Sequence, residues 1–141
     1  MPGYLFDTDA VSEVLKPKPA DRYVSWLKTL PVELQFTSAI TVAELFWGAH
    51  RSKAKDRHLD NIRRRVLPAL TVLSFDAKSA ERFGAMKAEL EAAGTPLDDA
   101  DLQIASIAMT NDLELVTGNV KHFLRVPGLR LNTTLAATRT T

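Results

Sequence analysis

Apolar and polar positions along the chain follow two rhythms. Short apolar runs, Tyr4–Phe6, Leu34–Thr37, Thr71–Phe75 and Leu113–Val116, have strand length and strand composition. A fifth short run is expected at Arg130 and Leu131. Between them lie stretches with apolar residues three and four apart. These predict helices over Thr8–Leu15, Ala20–Leu30, Ala39–Ala49, Arg57–Leu70, Asp76–Ala93 and Asp98–Thr110. Lys16-Pro17-Lys18-Pro19 breaks the first helix, and Gly94 and Pro96 stop the long one that Asp76 opens as N-cap. Strands alternating with helices predict an α/β fold in three α/β/α layers, with a central parallel sheet of four to five strands. Residues 1–132 read as a single domain and 133–141 as a flexible, small-residue tail.

Composition narrows the chemistry. The 141 residues include no cysteine, which excludes disulfides, zinc-thiolate sites and thiol nucleophiles. No apolar run approaches membrane-span length, and MPGYLFDTDA lacks the basic and apolar segments of a signal peptide. A cytoplasmic protein with no membrane partner is the expectation. The net charge of +1 hides an asymmetry: His50–Arg65 carries seven Lys/Arg against two Asp, whereas Asp76–Glu114 carries nine acids against three Lys/Arg. The acidic half suits a metal, the basic half phosphates.

In a parallel sheet the functional crevice lies beyond the carboxyl ends of the strands. Asp7 follows the first strand, with Asp9 two residues on. Glu44 sits in the helix after the second strand, Asp98, Asp99 and Asp101 open the helix before the fourth, and Asn119 follows the fourth. Carboxylates gathered in one pocket stay ionised only with a cation among them. An all-oxygen donor set suits a hard ion, Mg²⁺ or Mn²⁺, which activates water and polarises a phosphodiester. The three His residues make no metal spacing with one another. Plainer readings coexist: Thr41 and Glu44 have capping-box spacing, and Asp98 and Asp101 have N-cap and N3 spacing. Asp7 has only an Asx-type turn as its plain reading.

Four segments resemble the motifs of PIN-domain ribonucleases, especially VapC/FitB-type toxins of bacterial toxin–antitoxin pairs. They are Leu5–Glu13 (LFDTDAVSE), Ala39–Leu45 (AITVAEL), Asp98–Ala105 (DDADLQIA) and Leu115–Phe123 (LVTGNVKHF), with Val126–Leu129 in the expected place after them. The resemblance runs from Tyr4 to about Asn132 and selects Asp101 over Asp98 and Asp99, since it stands three residues before Ile104-Ala105. Two positions depart from the pattern. Asp9 stands where Asn is usual, and Asn119 where Asp is common, which weakens the case for a second tightly bound ion.

Chemistry and resemblance together assign Asp7 and Asp101 as direct or water-mediated metal ligands. Glu44 then orients a metal-bound water or acts as base toward it, and Asn119 completes the outer shell. Thr8, Thr117, Asp9 and Asp98 stand behind these groups. The resemblance implies Mg²⁺- or Mn²⁺-dependent hydrolysis of RNA to 3′-hydroxyl and 5′-phosphate ends. It also implies a homodimer, and a VapB-like antitoxin that puts a basic side chain among the acids. Lys16, Lys18, Arg63 and Arg64 are candidate RNA-backbone contacts, with a solvated helix face as the plain alternative. Trp26, Phe46 and Trp47 are expected in the core.

Three rival functions are weighed. A PIN-like fold with a silent site would only bind RNA or protein. A haloacid-dehalogenase-like phosphatase shares the pattern Asp7-Thr8-Asp9-Ala10-Val11. It needs an acid pair after the last core strand, where this chain has Thr117-Gly118-Asn119. A phospho-receiver domain would use Asp76 as acceptor, but that residue reads as an N-cap, and Glu44 and Asp101 are left without a role.

Overall fold

The structure is a computed structural model that describes residues 3–139. Five parallel strands form the sheet in the order β3-β2-β1-β4-β5: β1 Tyr4–Phe6, β2 Gln35–Ser38, β3 Thr71–Leu73, β4 Glu114–Val116 and β5 Leu131–Asn132. The expected strands are all present, with ends moved by one or two residues. β1 lies in the middle, with Leu5 paired to Phe36 on one side and Leu115 on the other.

Strand alternation divides the core. Leu5 and Leu115 face a layer built on α5 (Ala77–Ala92) and α6 (Asp99–Thr110). Phe6 and Val116 face the opposite layer of α1 (Thr8–Leu15), α2 (Asp21–Leu27), α3 (Ala39–Arg51) and α4 (Lys55–Asn61). Each layer buries a stripe of helix residues against one face of the sheet, as a parallel sheet requires. Fully buried Tyr23 donates its hydroxyl to Ala10 O at 2.9 Å and pins α2 on α1.

Four expectations are corrected. The helix foreseen over Arg57–Leu70 divides: α4 ends at Asn61 and a π-helical turn, Ile62–Val66, follows. Its i→i+5 bond, Leu67 N–H to Ile62 O at 3.0 Å, lets Leu59, Ile62 and Val66 all enter the core while Arg63, Arg64 and Arg65 stay exposed. Ser38, not Thr41, caps α3, accepting from Thr41 N–H at 3.0 Å, so Glu44 is no capping-box partner and stands further along the helix. Trp47 is not in the core: it is 61% exposed, under the Arg51 guanidinium at 3.8 Å. The segment expected as a loose tail is folded as far as it is described. After α7 (Val120–Phe123) and β5, helix α8 (Thr134–Ala137) sends Leu135 fully into the α1–α4 core. Residues 140–141 lie outside the described residues.

Candidate active site

In the strand order 3-2-1-4-5 the connections leave β1 toward β2 on one side, and β4 lies on the other. The β1/β4 boundary is thus the switch point, where such sheets open a crevice at their carboxyl ends. Asp7 extends β1 there, its N–H donating to Val116 O at 3.2 Å. It is also the N-cap of α1, taking the Ala10 N–H on Oδ1 at 2.8 Å, and the Thr117 hydroxyl donates to its carboxylate. Yet Asp7 is only 4% exposed. Burial, with Asp9 and Asp101 nearby, outweighs these hydrogen bonds and pushes its carboxyl up to about 7.

Asp101, on the first turn of α6, is half-buried. Burial first, then Asp98 and Glu44, lifts its pKa above the carboxylate norm. The basic group that reaches it is His122, with Nε2 at 3.4 Å from Oδ2. Asn119 Nδ2 meets His122 Nδ1 at 3.0 Å. An amide nitrogen donates, so this contact leaves the imidazole proton on Nε2, toward Asp101. Asn119 N–H donates to Thr117 Oγ1 at 3.0 Å, folding the turn after β4 back on itself. Glu44 arrives from α3, where the Thr8 hydroxyl donates to Oε1 at 2.5 Å and Thr8 also approaches Thr41 Oγ1 at 3.3 Å.

Asp7, Glu44, Asp101 and Asn119 therefore gather at the switch point, with Thr8 on Glu44 and Thr117 on Asp7. Among the described residues, no three Asp, Glu or His side chains are grouped closely enough to hold a metal ion by themselves. The donor chemistry still fits a hard cation. Mg²⁺ characteristically takes one or two carboxylates and keeps several waters, and burial together with nearby acids, which lifts Asp7 and Asp101, is what a divalent ion offsets.

Other expected site residues lie elsewhere or are otherwise engaged. Asp98 is exposed at the start of α6 and makes no side-chain cap, while Asp99 pairs with Lys87 at 2.9 Å. Lys16 pairs with Glu13 at 2.9 Å, and Lys18 is exposed. Arg64 pairs with Asp60 at 2.8 Å in solvent, and Arg63 stands over the Phe46 ring at 5.7 Å. The turn carrying both is held to Val14 O by Arg65, about 10 Å along α1 from Asp7 at the helical rise. It flanks the acid edge rather than joining it.

Asp9 differs most from its expected place. Its Oδ2 accepts from Gly118 N–H at 3.1 Å and from Arg139 Nη1 at 2.7 Å, and its Oδ1 accepts from Arg139 Nη2 at 3.1 Å. Glu13, nearly buried, is also taken by Arg139, at 2.9 Å. Lys16 and Arg139, with the Ala20 N–H, hold its carboxyl down to about 2 against the cost of burial. Sequence reasoning passed over His122, Glu13 and Arg139. Only His122 carried a legible signal, three residues after Asn119 in the closing motif.

Comparison with known proteins agrees with this geometry. The chain is 35% identical over 127 residues to "Ribonuclease VapC2" of Haemophilus influenzae, covering 90% of this chain and 94% of that one. It is 33% identical over 128 residues to "tRNA(fMet)-specific endonuclease VapC" of Salmonella typhimurium, covering 91% and 95%. Among solved structures it superposes on the DNA-bound VapBC of Salmonella typhimurium with a TM-score of 0.86 and 32% identity, over 94% of this chain and 98% of that one. The family model of the PIN domain matches residues 4–129, from β1 through the turn before β5. Fold and sequence coincide over nearly the whole length, and the chain belongs to the PIN-domain family, beside its VapC members.

Proposed function

We propose that this chain is a Mg²⁺- or Mn²⁺-dependent endoribonuclease and the toxin of a toxin–antitoxin pair. The observation that carries the reading is Asp7. A buried carboxylate ends the central strand at the switch point, and acids surround it in place of a protein cation. The relatives named ribonuclease and endonuclease support the reaction class, and the VapBC complex supports a protein partner of antitoxin type.

Asp7 and Asp101 would hold the ion, directly or through water. When bound, it would supply charge for the scissile phosphate and a more acidic water. The chain's own groups supply the rest. Glu44, fixed by the Thr8 hydroxyl, is placed to orient the attacking water or take its proton. Thr117 fixes the Asp7 carboxylate, and Asn119 and His122 hold the Asp101 side of the site. An open groove of about 490 Å³ leads from Thr8 and Glu44 between α1, α3 and α4, with Lys16 on its rim. It offers an approach for an RNA strand or for a partner segment. RNA cleavage by attack of water at phosphorus, leaving 3′-hydroxyl and 5′-phosphate ends, is the reaction this arrangement supports.

The test is incubation of the partner-free protein with total cellular RNA and Mn²⁺ or Mg²⁺, beside EDTA controls and a folded Asp101→Asn variant. Discrete fragments that require both metal and Asp101 are expected. Intact RNA across a metal series, with a folded protein, would overturn the nuclease in favour of a binding module.

A further inference from the structure

We propose that Arg139 is a positioning residue of the acid site: it pairs with Asp9 and clasps the Gly118–Asn119 turn onto α1, offsetting part of the Asp9 charge that Asp7 feels. Three observations carry this.

The first is hydrogen-bond saturation. The guanidinium meets Asp9 end-on, with Nη1 on Oδ2 at 2.7 Å and Nη2 on Oδ1 at 3.1 Å, and Nη2 also reaches Glu13 Oε1 at 2.9 Å. Gly118 N–H completes Oδ2 at 3.1 Å. Both oxygens of Asp9 are thus engaged, so it faces the site as a paired acid.

The second is the space at Gly118. A Cβ there would stand 2.7 Å from Arg139 Cζ and would also strike the Asp9 carboxylate. The backbone at Gly118 is not left-handed, so the glycine answers a need for room, and what fills the room is the guanidinium.

The third is the mount. Arg139 follows α8, whose Leu135 is fully buried, and its N–H donates to Ala136 O at 3.0 Å. The clasp therefore hangs from a core anchor. It lies beyond residue 129, where the match to the PIN family model ends.

The consequence at the metal rests on the reading proposed above. Freeing Asp9 adds a negative charge two residues from Asp7. Removing the Asp9 carboxylate leaves Arg139 with Glu13 alone, and the flank gains a net positive charge at the same place. The two changes must move cation affinity in opposite directions, which simple structural damage does not do.

The experiment measures Mn²⁺ binding to the RNA-free protein by calorimetry, for wild type, Arg139→Ala, Asp9→Asn and the double variant, with circular dichroism as folding control. Arg139→Ala is expected to bind Mn²⁺ roughly three- to tenfold tighter and Asp9→Asn weaker by a similar factor, with the double variant within about twofold of wild type. Equal affinities, or a loss in all three, would overturn the charge role. A second readout, amide exchange at Gly118 and Asn119, keeps the clasp testable if the wild type binds no Mn²⁺. That result alone would sink the metal reading. Arg139→Ala and Gly118→Ala should then each speed local exchange by roughly tenfold, with global stability kept. Unchanged exchange would overturn the clasp.

Discussion

Asp7 and Asp9 stand two residues apart at the start of the same helix, yet the regions around them are built on opposite principles. The Asp9 flank is balanced: two carboxylates, Asp9 and Glu13, face two cations, Lys16 and Arg139, with every contact at 3.1 Å or less. The Asp7 edge is unbalanced. Asp101 acts on Asp7 and Glu44 acts on Asp101, hydroxyls of Thr8 and Thr117 steady two of them, and the base against Asp101 is an imidazole. Burial makes the imbalance costly, and a raised carboxyl pKa is its signature. The difference teaches that proximity to the crevice does not make an acid available. Counter-charge does, and a protein can withdraw one acid from a cluster by supplying an arginine from a distant segment.

The comparison is broken most severely at the unbalanced edge. Asp101→Asn is expected to lower RNA cleavage by about a hundredfold or more with the fold intact, whereas Asp9→Asn lowers it by less than about tenfold. Gel assays of both variants on the same RNA check this, and equal losses would erase the distinction. Next is the mount of the balanced flank. Leu135→Ala removes a fully buried side chain and should cost about 3 kcal/mol in urea unfolding. A loss below 1 kcal/mol would mean that α8 is not anchored.

The unbalanced edge also predicts a pH dependence. The folded-state pKa of Asp7, about 7, lies above the ordinary 3.8. Its neutral form is thus favoured in the fold. That contribution is complete below about pH 4 and is lost as pH rises through 7. Without metal, Asp7→Asn should therefore be more stable than wild type at pH 8, by about 4 kcal/mol, and equal to it near pH 4. Thermal melts in EDTA at the two pH values measure this, and a destabilised variant at pH 8 would contradict it. Metal binding should run the other way and weaken as pH falls through 7, because protons compete for the carboxylate.

A smaller effect is expected from Thr8→Val. It removes the donor that fixes Glu44 and should cost about five- to tenfold in cleavage with little change in stability. Arg64→Ala sets the floor. Its ion pair with Asp60 lies in solvent, and its removal should change unfolding free energy by less than about 0.5 kcal/mol.

The unbalanced edge was legible in the sequence because its signals are local. Asp7 interrupts an apolar run where a strand should end, and Glu44 and Asp101 sit in helices whose periodicity is plain. The order of strands then brings these elements to one boundary. The balanced flank was not legible, because its partners are far apart: 109 residues separate Asp9 from Gly118, and 130 separate it from Arg139. Nothing in the composition of the last residues distinguishes a buried Leu135 from one in a frayed tail. Glu44 fitted a capping box by spacing alone, but Ser38, one residue before α3, offered the better-placed oxygen. Trp47 shows the limit of hydrophobicity as a guide, since its ring is satisfied by a guanidinium at the surface.

The central position of β1 has a consequence for the order of synthesis. The strand that carries Asp7 leaves the ribosome first, but its partner β4 follows only after more than a hundred residues, and the clasp on Asp9 later still. Parallel pairing over such a separation cannot form early, because the loop must close before its contacts repay the cost. A half-made chain therefore holds Asp7 at the edge of an unfinished sheet, with neither Asp101 nor the turn at Asn119 beside it. Chemistry of the kind proposed here would therefore wait until β4 and the turn at Asn119 have been made and have closed on β1.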